Sequence, residues 1–345
     1  MIRIGIICPS EIAFRRFLPA LEQSSDYEYM GVAVADAKEW FGDDFQNVDA
    51  SRRDAVRNGE MEKAENFQKN FSGKIFSSYM DLISSDEVDA VYLPLPPALH
   101  FRWAKKALEY GKHIFVEKPS TIDRSNTEEL LACAKEKELA VHENYMFVFH
   151  EQLSEIKKVV ESGVLGDVRM YRLDFGFPRR AQGDFRYMKA LGGGALLDCG
   201  GYTLKYASIL LGEGATLDCA KANYTDEFDV DLYGSATMSN PKGETVQIAF
   251  GMDNAYKCDL EIWGSKGRLV TGRILTAPAG FEPSYKLITG MEQKECALPA
   301  DDTFLKSLQY FAKCVESEEV RKEAYGNIQK QADLVDSFMD KAGMK

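Results

Sequence analysis

The sequence lacks the features that direct a chain to a membrane or to nucleic acid. No stretch approaches the roughly 18 consecutive apolar residues of a membrane-spanning helix, and the opening Met-Ile-Arg-Ile-Gly has no basic region followed by an apolar core. The net charge is −12 and the pI is near 5.0, with no local basic patch. We therefore expect a cytoplasmic protein with neither nucleic-acid nor membrane partners.

Cysteine and histidine are scarce and scattered. The seven cysteines are an odd number with no Cys-x-x-Cys pair, and there are only four histidines. This pattern is typical of reduced thiols and argues against a disulfide framework or a zinc site. We expect no metal, and we interpret His142 and His150 as ordinary surface or core histidines.

The chain is long enough to bury a sizeable core in roughly two domains. In the first part, short β-branched runs alternate with helical stretches, which predicts an α/β fold with a doubly wound parallel sheet. The runs lie at 2–7, 29–36, 90–95, 113–118 and 139–144. We predict a charged surface insertion at about 40–58, before a helix near 61–70.

The strands become longer after about residue 168, and their polarity alternates. Val246, Ile248, Phe250 and Met252 fall on one face of such a strand. Similar runs at 169–177, 216–224, 229–238 and 257–263 predict an α+β domain with a largely antiparallel sheet, followed by a helical tail over 303–339.

The first strand ends in a turn without glycine. Glycine permits the tight turn and the close backbone approach that a pyrophosphate needs, yet this chain has Cys8-Pro9-Ser10-Glu11-Ile12-Ala13 there. Ser10 can cap the next helix and leave its first amides facing an anion. The alternative is a plain strand-to-helix turn with a serine cap.

Asp36 ends the second strand, where a carboxylate accepts hydrogen bonds from a ribose diol and repels a 2′-phosphate. If a dinucleotide binds, this residue favours NAD over NADP, although nearby Lys38 weakens the argument. The alternative is a polar residue that starts a loop.

Two longer segments carry a family resemblance. PLPPALHFRWAKKALEYGKHIFVEKP (94–119) and LGGGALLDCGGYTL (191–204) resemble the two signatures of the glucose-fructose oxidoreductase, inositol dehydrogenase and MocA (GFO/IDH/MocA) family. ESGVLGDVRM (161–170) and EIWGSKGRLV (261–270) are similar to further family segments in the expected order. The resemblance covers the whole chain except the insertion.

The resemblance implies a Rossmann domain over 1–145 that binds the dinucleotide, and an α+β domain over 146–345 that serves substrate binding and subunit association. It implies hydride transfer between NAD, or NADP, and a sugar or sugar derivative, including nucleotide-linked ones, in a homodimer or homotetramer. Carried over residue by residue, it makes Lys118, Asp198 and Tyr202 the catalytic residues. With a tyrosine at 202, the site resembles the glucose-fructose oxidoreductase, dihydrodiol dehydrogenase and deoxysugar ketoreductase branches more than the inositol dehydrogenases.

The chemistry of these residues supports that assignment. A phenol with an ordinary pKa near 10 transfers a proton poorly at neutral pH unless a cation such as Lys118 stabilises its phenolate. Asp198 and Tyr202 are four residues apart and would share one helix face, where Asp198 orients a substrate hydroxyl or holds the lysine. The alternatives are a packed tyrosine for Tyr202 and a solvated charge for Lys118.

The remaining candidates follow the predicted strands of the first domain or precede the glycine-rich turn. His100 could instead cap and pack a helix. Arg186 could instead form a structural salt bridge. The predicted cofactor-binding residues are Cys8, Pro9, Ser10, Glu11, Ile12, Asp36, Leu95, Pro96, His100, Glu117 and Asn144, and the predicted substrate-binding residues are Lys118, Arg186, Asp198 and Tyr202.

A second function class stays open because of the missing glycines: a non-catalytic sensor of a sugar or dinucleotide on the same fold. The complete proton-transfer set favours the enzyme.

Overall fold

The computed structural model describes residues 1–344, apart from the side chain of Asp44. The chain divides into two compact units. The first contains residues 1–121, 125–144 and 304–328, and the second contains the remaining described residues. The helical tail, which the prediction places wholly in the second domain, is therefore shared between the units.

The first unit contains the predicted parallel sheet. Six strands are hydrogen-bonded in the order β3-β2-β1-β4-β5-β6, all parallel, which confirms the doubly wound fold. They are β1 (Ile2–Ile7), β2 (Tyr27–Ala33), β3 (Lys74–Phe76), β4 (Ala90–Leu93), β5 (His113–Glu117) and β6 (Val141–Asn144). The three-residue β3 is too short to show a periodic pattern, and the sequence did not predict it.

Six helices follow these strands. They are α1 (Leu18–Leu21), which continues a π-helical stretch at Ala13–Phe17, then α2 (Ala37–Phe41), α3 (Ala50–Phe71), α4 (Tyr79–Ser84), α5 (Pro97–Glu109) and α6 (Arg124–Glu136). A short 3-10 helix, Asp43–Asn47, lies between α2 and α3.

The predicted insertion is therefore mostly helical, and the prediction of a helix confined to about 61–70 was too short. The Asp49 carboxylate caps α3 by accepting a hydrogen bond from the Ser51 amide at 2.8 Å. Only Glu60, Ala64 and Phe67 of this helix are buried, so its polar sequence conceals the helical period.

The second unit is built on an eight-stranded sheet in the order β14-β13-β12-β11-β7-β10-β9-β8. Its one parallel pair is β7 with β10, and every other neighbouring pair is antiparallel. The strands are β7 (Val168–Gly176), β8 (Thr216–Thr225), β9 (Phe228–Ser239), β10 (Thr245–Gly251), β11 (Lys257–Gly264), β12 (Gly267–Gly272), β13 (Ser284–Thr289) and β14 (Glu292–Ala297).

One face of this sheet forms the core of the second unit. Val246, Ile248, Phe250 and Met252 are buried on one side, as their alternation predicts. Four more helices complete the chain: α7 (Glu151–Glu161), α8 (Gly201–Leu211), α9 (Thr303–Glu316) and α10 (Glu318–Ala342). Short 3-10 helices lie at Met146–Phe149, Phe185–Tyr187 and Lys189–Leu191, and a π-helical stretch at Leu196–Gly200 precedes α8. Within the described part of the chain, no helix is long and apolar enough to cross a membrane.

Candidate active site

The turn after β1 has the shape that glycine normally provides. Cys8 adopts a left-handed backbone conformation with φ of 79°, although it carries a side chain. The Ser10 amide donates to the Cys8 carbonyl at 2.9 Å, and the Ser10 hydroxyl accepts from the Ala13 amide at 3.2 Å. The predicted serine cap is thus present.

The same turn suits a phosphate anion. Burial raises the pKa of the Cys8 thiol to about 12, so the side chain stays neutral and does not repel negative charge. The first amides of a helix lack intrahelical partners and favour anions. Pro9, Glu11 and Ile12 complete this turn, and Glu11 turns outward to pair with Arg15 at 2.7 Å. The residues present therefore fit a dinucleotide pyrophosphate.

Asp36 serves as a helix cap. Its Oδ1 accepts from the Glu39 amide at 2.8 Å, and its own amide donates to Glu39 Oε2 at 2.9 Å. This reciprocal capping box starts α2. Asp36 does end up at the carboxyl side of β2, but its carboxylate is already engaged in the cap.

His100 links the segments that follow two strands. Its Nδ1 lies 2.7 Å from the Pro119 carbonyl oxygen and its Nε2 lies 2.7 Å from that of Leu95. The ring is fully buried, as is most of Leu95, and Pro96 follows directly before α5. These contacts support the packing alternative for His100.

Glu117 and Asn144 meet at the ends of β5 and β6. Glu117 Oε1 accepts from Tyr92 Oη at 2.7 Å and from Asn144 Nδ2 at 2.8 Å. Burial raises the pKa of the Glu117 carboxyl, while these two hydrogen bonds act in the opposite direction. Asn144 Oδ1 in turn accepts from Ser307 Oγ at 2.8 Å. Lys118 follows directly, half-buried, before the cis peptide bond to Pro119.

In the second unit, Arg186 and Asp198 form an ion pair. Arg186 Nε donates to Asp198 Oδ2 at 2.7 Å, and Arg186 Nη1 lies 3.2 Å from Asp184 Oδ1. Burial acts to lower the pKa of Arg186, but the two carboxylates outweigh it and raise the pKa. The structural salt bridge considered for Arg186 is present.

Tyr202 lies on α8, one turn after Asp198, in an aromatic pocket. Only 7% of the residue is exposed, and its ring centroid lies 5.1 Å from that of Tyr145 and 5.6 Å from those of Phe147 and Phe175. Its hydroxyl points to Met146 Sδ at 3.9 Å. Ring packing therefore positions the phenol while its hydroxyl makes a weak contact there.

The glycine-rich turn before Tyr202 depends on a residue that the sequence did not reveal. Gly192 and Gly194 have φ of 77° and 121°, which side chains disfavour. Asp231 on β9 then accepts from the Leu196 amide at 2.7 Å. Burial raises the pKa of Asp231 to about 6. No local motif marks Asp231, because the contact depends on the register of a distant strand.

The structure thus brings Arg186 and Asp198 into contact, with Tyr202 on the same helical segment. Lys118 belongs to the first unit, and its cooperation with Tyr202 stays a prediction. Among the described side chains, no group of three or more His, Cys, Asp or Glu residues is placed to hold a metal ion.

Comparison with known proteins identifies both halves of the chain. Residues 2–145 match the oxidoreductase family with an NAD-binding Rossmann fold, and residues 153–270 match the GFO/IDH/MocA C-terminal domain. The chain belongs to the GFO/IDH/MocA family.

Relatives in this family are similar over nearly the whole chain. A dTDP-3,4-didehydro-2,6-dideoxy-alpha-D-glucose 3-reductase from Actinomadura kijaniata is 36% identical over 97% of this chain and 94% of its own length. A protein of the same name from Streptomyces antibioticus is 30% identical over 98% of this chain and 96% of its own. The crystal structure of KijD10, a 3-ketoreductase from Actinomadura kijaniata in complex with NADP and TDP-benzene, matches with a TM-score of 0.88 and 36% identity, covering 99% of this chain and 97% of that one.

These findings confirm the predicted family, fold class and enzyme class. This family member is an NAD(P)-dependent oxidoreductase that acts on the CH–OH or keto group of a sugar derivative. The sensor alternative is not favoured.

Proposed function

We propose that this enzyme reduces the C3 keto group of a dTDP-linked dideoxyhexose, with NADPH as the hydride donor. The supporting observation is the 36% identity that extends over almost all of both chains to the Actinomadura kijaniata 3-reductase. The NADP in the KijD10 complex favours NADP over NAD, against the preference that Asp36 alone suggests.

Both ligands of such a reaction are anionic, whereas the chain has a net charge of −12. Binding therefore depends on local cations, and Lys118 and Arg186 are the candidates at the predicted site. Arg186 keeps a fixed orientation because Asp198 and Asp184 both accept from its guanidinium. We assign Arg186 to the polar groups of the substrate, with Asp198 as its positioning residue.

Tyr202 is the proposed proton donor. When bound, the reduced nicotinamide supplies the hydride that adds to the carbonyl carbon. Tyr202 gives its hydroxyl proton to the carbonyl oxygen as negative charge develops there, and the resulting phenolate regains a proton from solvent. The positive charge of Lys118 lowers the cost of forming that phenolate.

The test is turnover of dTDP-3,4-didehydro-2,6-dideoxy-α-D-glucose with NADPH, followed by NADPH absorbance and by NMR of the product at C3. We expect Tyr202→Phe to lower kcat by about 10²–10⁴-fold, as loss of a general acid does. Tyr206→Phe is the matched control, because Tyr206 is buried one turn later on α8 and has no assigned role. Absence of turnover by the folded wild-type protein contradicts the proposed substrate, and equal kcat values for wild type and Tyr202→Phe contradict the proposed proton donor.

We also infer a cytoplasmic homodimer or homotetramer. Supporting association, the face of the eight-stranded sheet opposite the core exposes Tyr233 (48%) and Trp263 (54%). Sedimentation of the wild type and of Trp263→Lys tests this, since a charge on an associating face should yield smaller species.

A further inference from the structure

Arg57 lies across the carboxyl ends of two neighbouring strands. It projects from α3, and its Nη1 donates to the Ala35 carbonyl at 2.8 Å and to the Ser77 carbonyl at 2.9 Å. Ala35 follows β2, and Ser77 follows β3. Two main-chain acceptors therefore hold the guanidinium beside Asp36, at the edge of the sheet where ligands bind in this fold.

The carboxylates at this edge are engaged by main-chain amides. Asp36 caps α2 through the Glu39 amide. Glu39 Oε2 accepts from the amides of Asp36 and Tyr79, and Glu39 Oε1 accepts from that of Met80, each at 2.9 Å. These hydrogen bonds offset part of the negative charge that would oppose an incoming phosphate.

The neighbouring cations differ from Arg57 in their partners. Lys38 pairs with Asp43 at 3.2 Å, and Lys63 pairs with Glu60 at 2.8 Å. Within the described residues, the acceptors of Arg57 are the two carbonyls and no carboxylate. Its positive charge is therefore available to an anion.

We propose that Arg57 binds the 2′-phosphate of NADP and so determines the preference for NADP over NAD. In a doubly wound sheet the 2′ oxygen of the adenosine ribose lies beyond the end of the second strand. A guanidinium whose Nη1 is anchored on carbonyls still has Nε and Nη2 donors to offer a phosphate in a planar fork. The inference rests on the proposed function, because it presupposes dinucleotide binding to the first unit.

This assignment gives a role to the segment that interrupts the family resemblance. Arg57 belongs to the predicted insertion, and α3 begins within it. The added residues would therefore contribute a guanidinium, whereas the cation of the turn after β2, Lys38, pairs with Asp43.

The experiment is calorimetric titration of NADPH and NADH into wild type, Arg57→Gln and Arg57→Lys. We expect Arg57→Gln to weaken NADPH binding about 10- to 100-fold, as loss of a charged hydrogen-bond pair does, and to leave the NADH dissociation constant within about twofold. Arg57→Lys keeps the charge without the fork, so its NADPH loss should be smaller. Arg52→Gln is the matched control: it removes the same charge from another face of α3, where Arg52 lies over the Phe41 ring.

The outcomes separate this inference from the proposed function. Tight NADPH binding that Arg57→Gln leaves unchanged overturns the role of Arg57 alone, as does a wild-type preference for NADH. Equal losses of NADPH and NADH in both Arg57 variants also overturn it, because they indicate a purely structural residue. Failure of the folded wild type to bind either dinucleotide overturns the proposed function itself.

Discussion

Arg186 Nε donates to Asp198 Oδ2 at 2.7 Å, with only 25% and 13% of the two side chains exposed. Asp198→Ala removes the acceptor that fixes the Arg186 guanidinium and leaves a buried charge with Asp184 as its main partner. We expect kcat/KM to fall about 100-fold, because a displaced substrate-positioning group costs a reaction about that factor. Steady-state kinetics with the dTDP-sugar measures this.

Asp184→Asn is the companion variant. The Asp184 carboxylate lies 3.2 Å from Arg186 Nη1, and asparagine keeps an oxygen acceptor there. We therefore expect a smaller loss of kcat/KM than in Asp198→Ala. A larger loss from Asp184→Asn than from Asp198→Ala would show that Asp184 is the residue that positions Arg186.

Asp231 should make the stability of the second unit depend on pH. Burial raises its pKa from 3.8 to about 6, so the folded state favours the protonated carboxyl, and the free energy of unfolding falls as the pH rises through that interval. Asp231→Asn has no carboxyl group at this position, so its unfolding free energy lacks this pH-dependent contribution. The difference in unfolding free energy, variant minus wild type, should increase by about 2 kcal/mol between pH 4 and pH 7. Urea denaturation of both proteins across this range measures it, and parallel pH curves would contradict the role of Asp231.

Cys8 should tolerate glycine and reject a β-branched residue. Its φ of 79° costs an ordinary residue about 1–2 kcal/mol, so Cys8→Gly keeps the turn while Cys8→Val strains it further. We expect Cys8→Gly to retain NADPH affinity and Cys8→Val to weaken it several-fold. Calorimetry measures the affinity, and near-equal dissociation constants for the two variants would show that the turn does not contact the cofactor.

Ser307 should stabilise the residues around Glu117. Its hydroxyl donates to Asn144 Oδ1 and lies 2.8 Å from His142 Nε2, both in the interior. Ser307→Ala should lower the free energy of unfolding by about 1–3 kcal/mol, because it strips a buried amide oxygen of a donor. The exposed Ser154 is the control, and Ser154→Ala should change it by less than about 0.5 kcal/mol. Thermal and urea unfolding of both variants provide the comparison.

The sequence predicted the parallel sheet well because β4 is a continuous apolar run and β1 is interrupted only by Arg3. It proposed Lys118, Asp198 and Tyr202 as site residues because they belong to recognisable segments, and their roles stay predictions. It missed α3 as a long helix, since few of its side chains are buried. It also missed Arg57, Asp231 and Ser307, because their contacts join residues far apart in the chain, and local patterns carry no information about such pairs.

Residues 304–328, which come late in the chain, pack in the first unit and affect how that unit folds during synthesis on the ribosome. Tyr27 Oη donates to the Leu308 carbonyl at 2.6 Å, Ser307 donates to Asn144, and Tyr325 Oη donates to the Leu139 carbonyl at 2.6 Å. A nascent chain that has emerged only as far as residue 145 holds all six parallel strands but none of these partners. The first unit can therefore reach its final packing only after residues 304–328 have left the ribosome, and a fragment cut at 145 should be an unstable product.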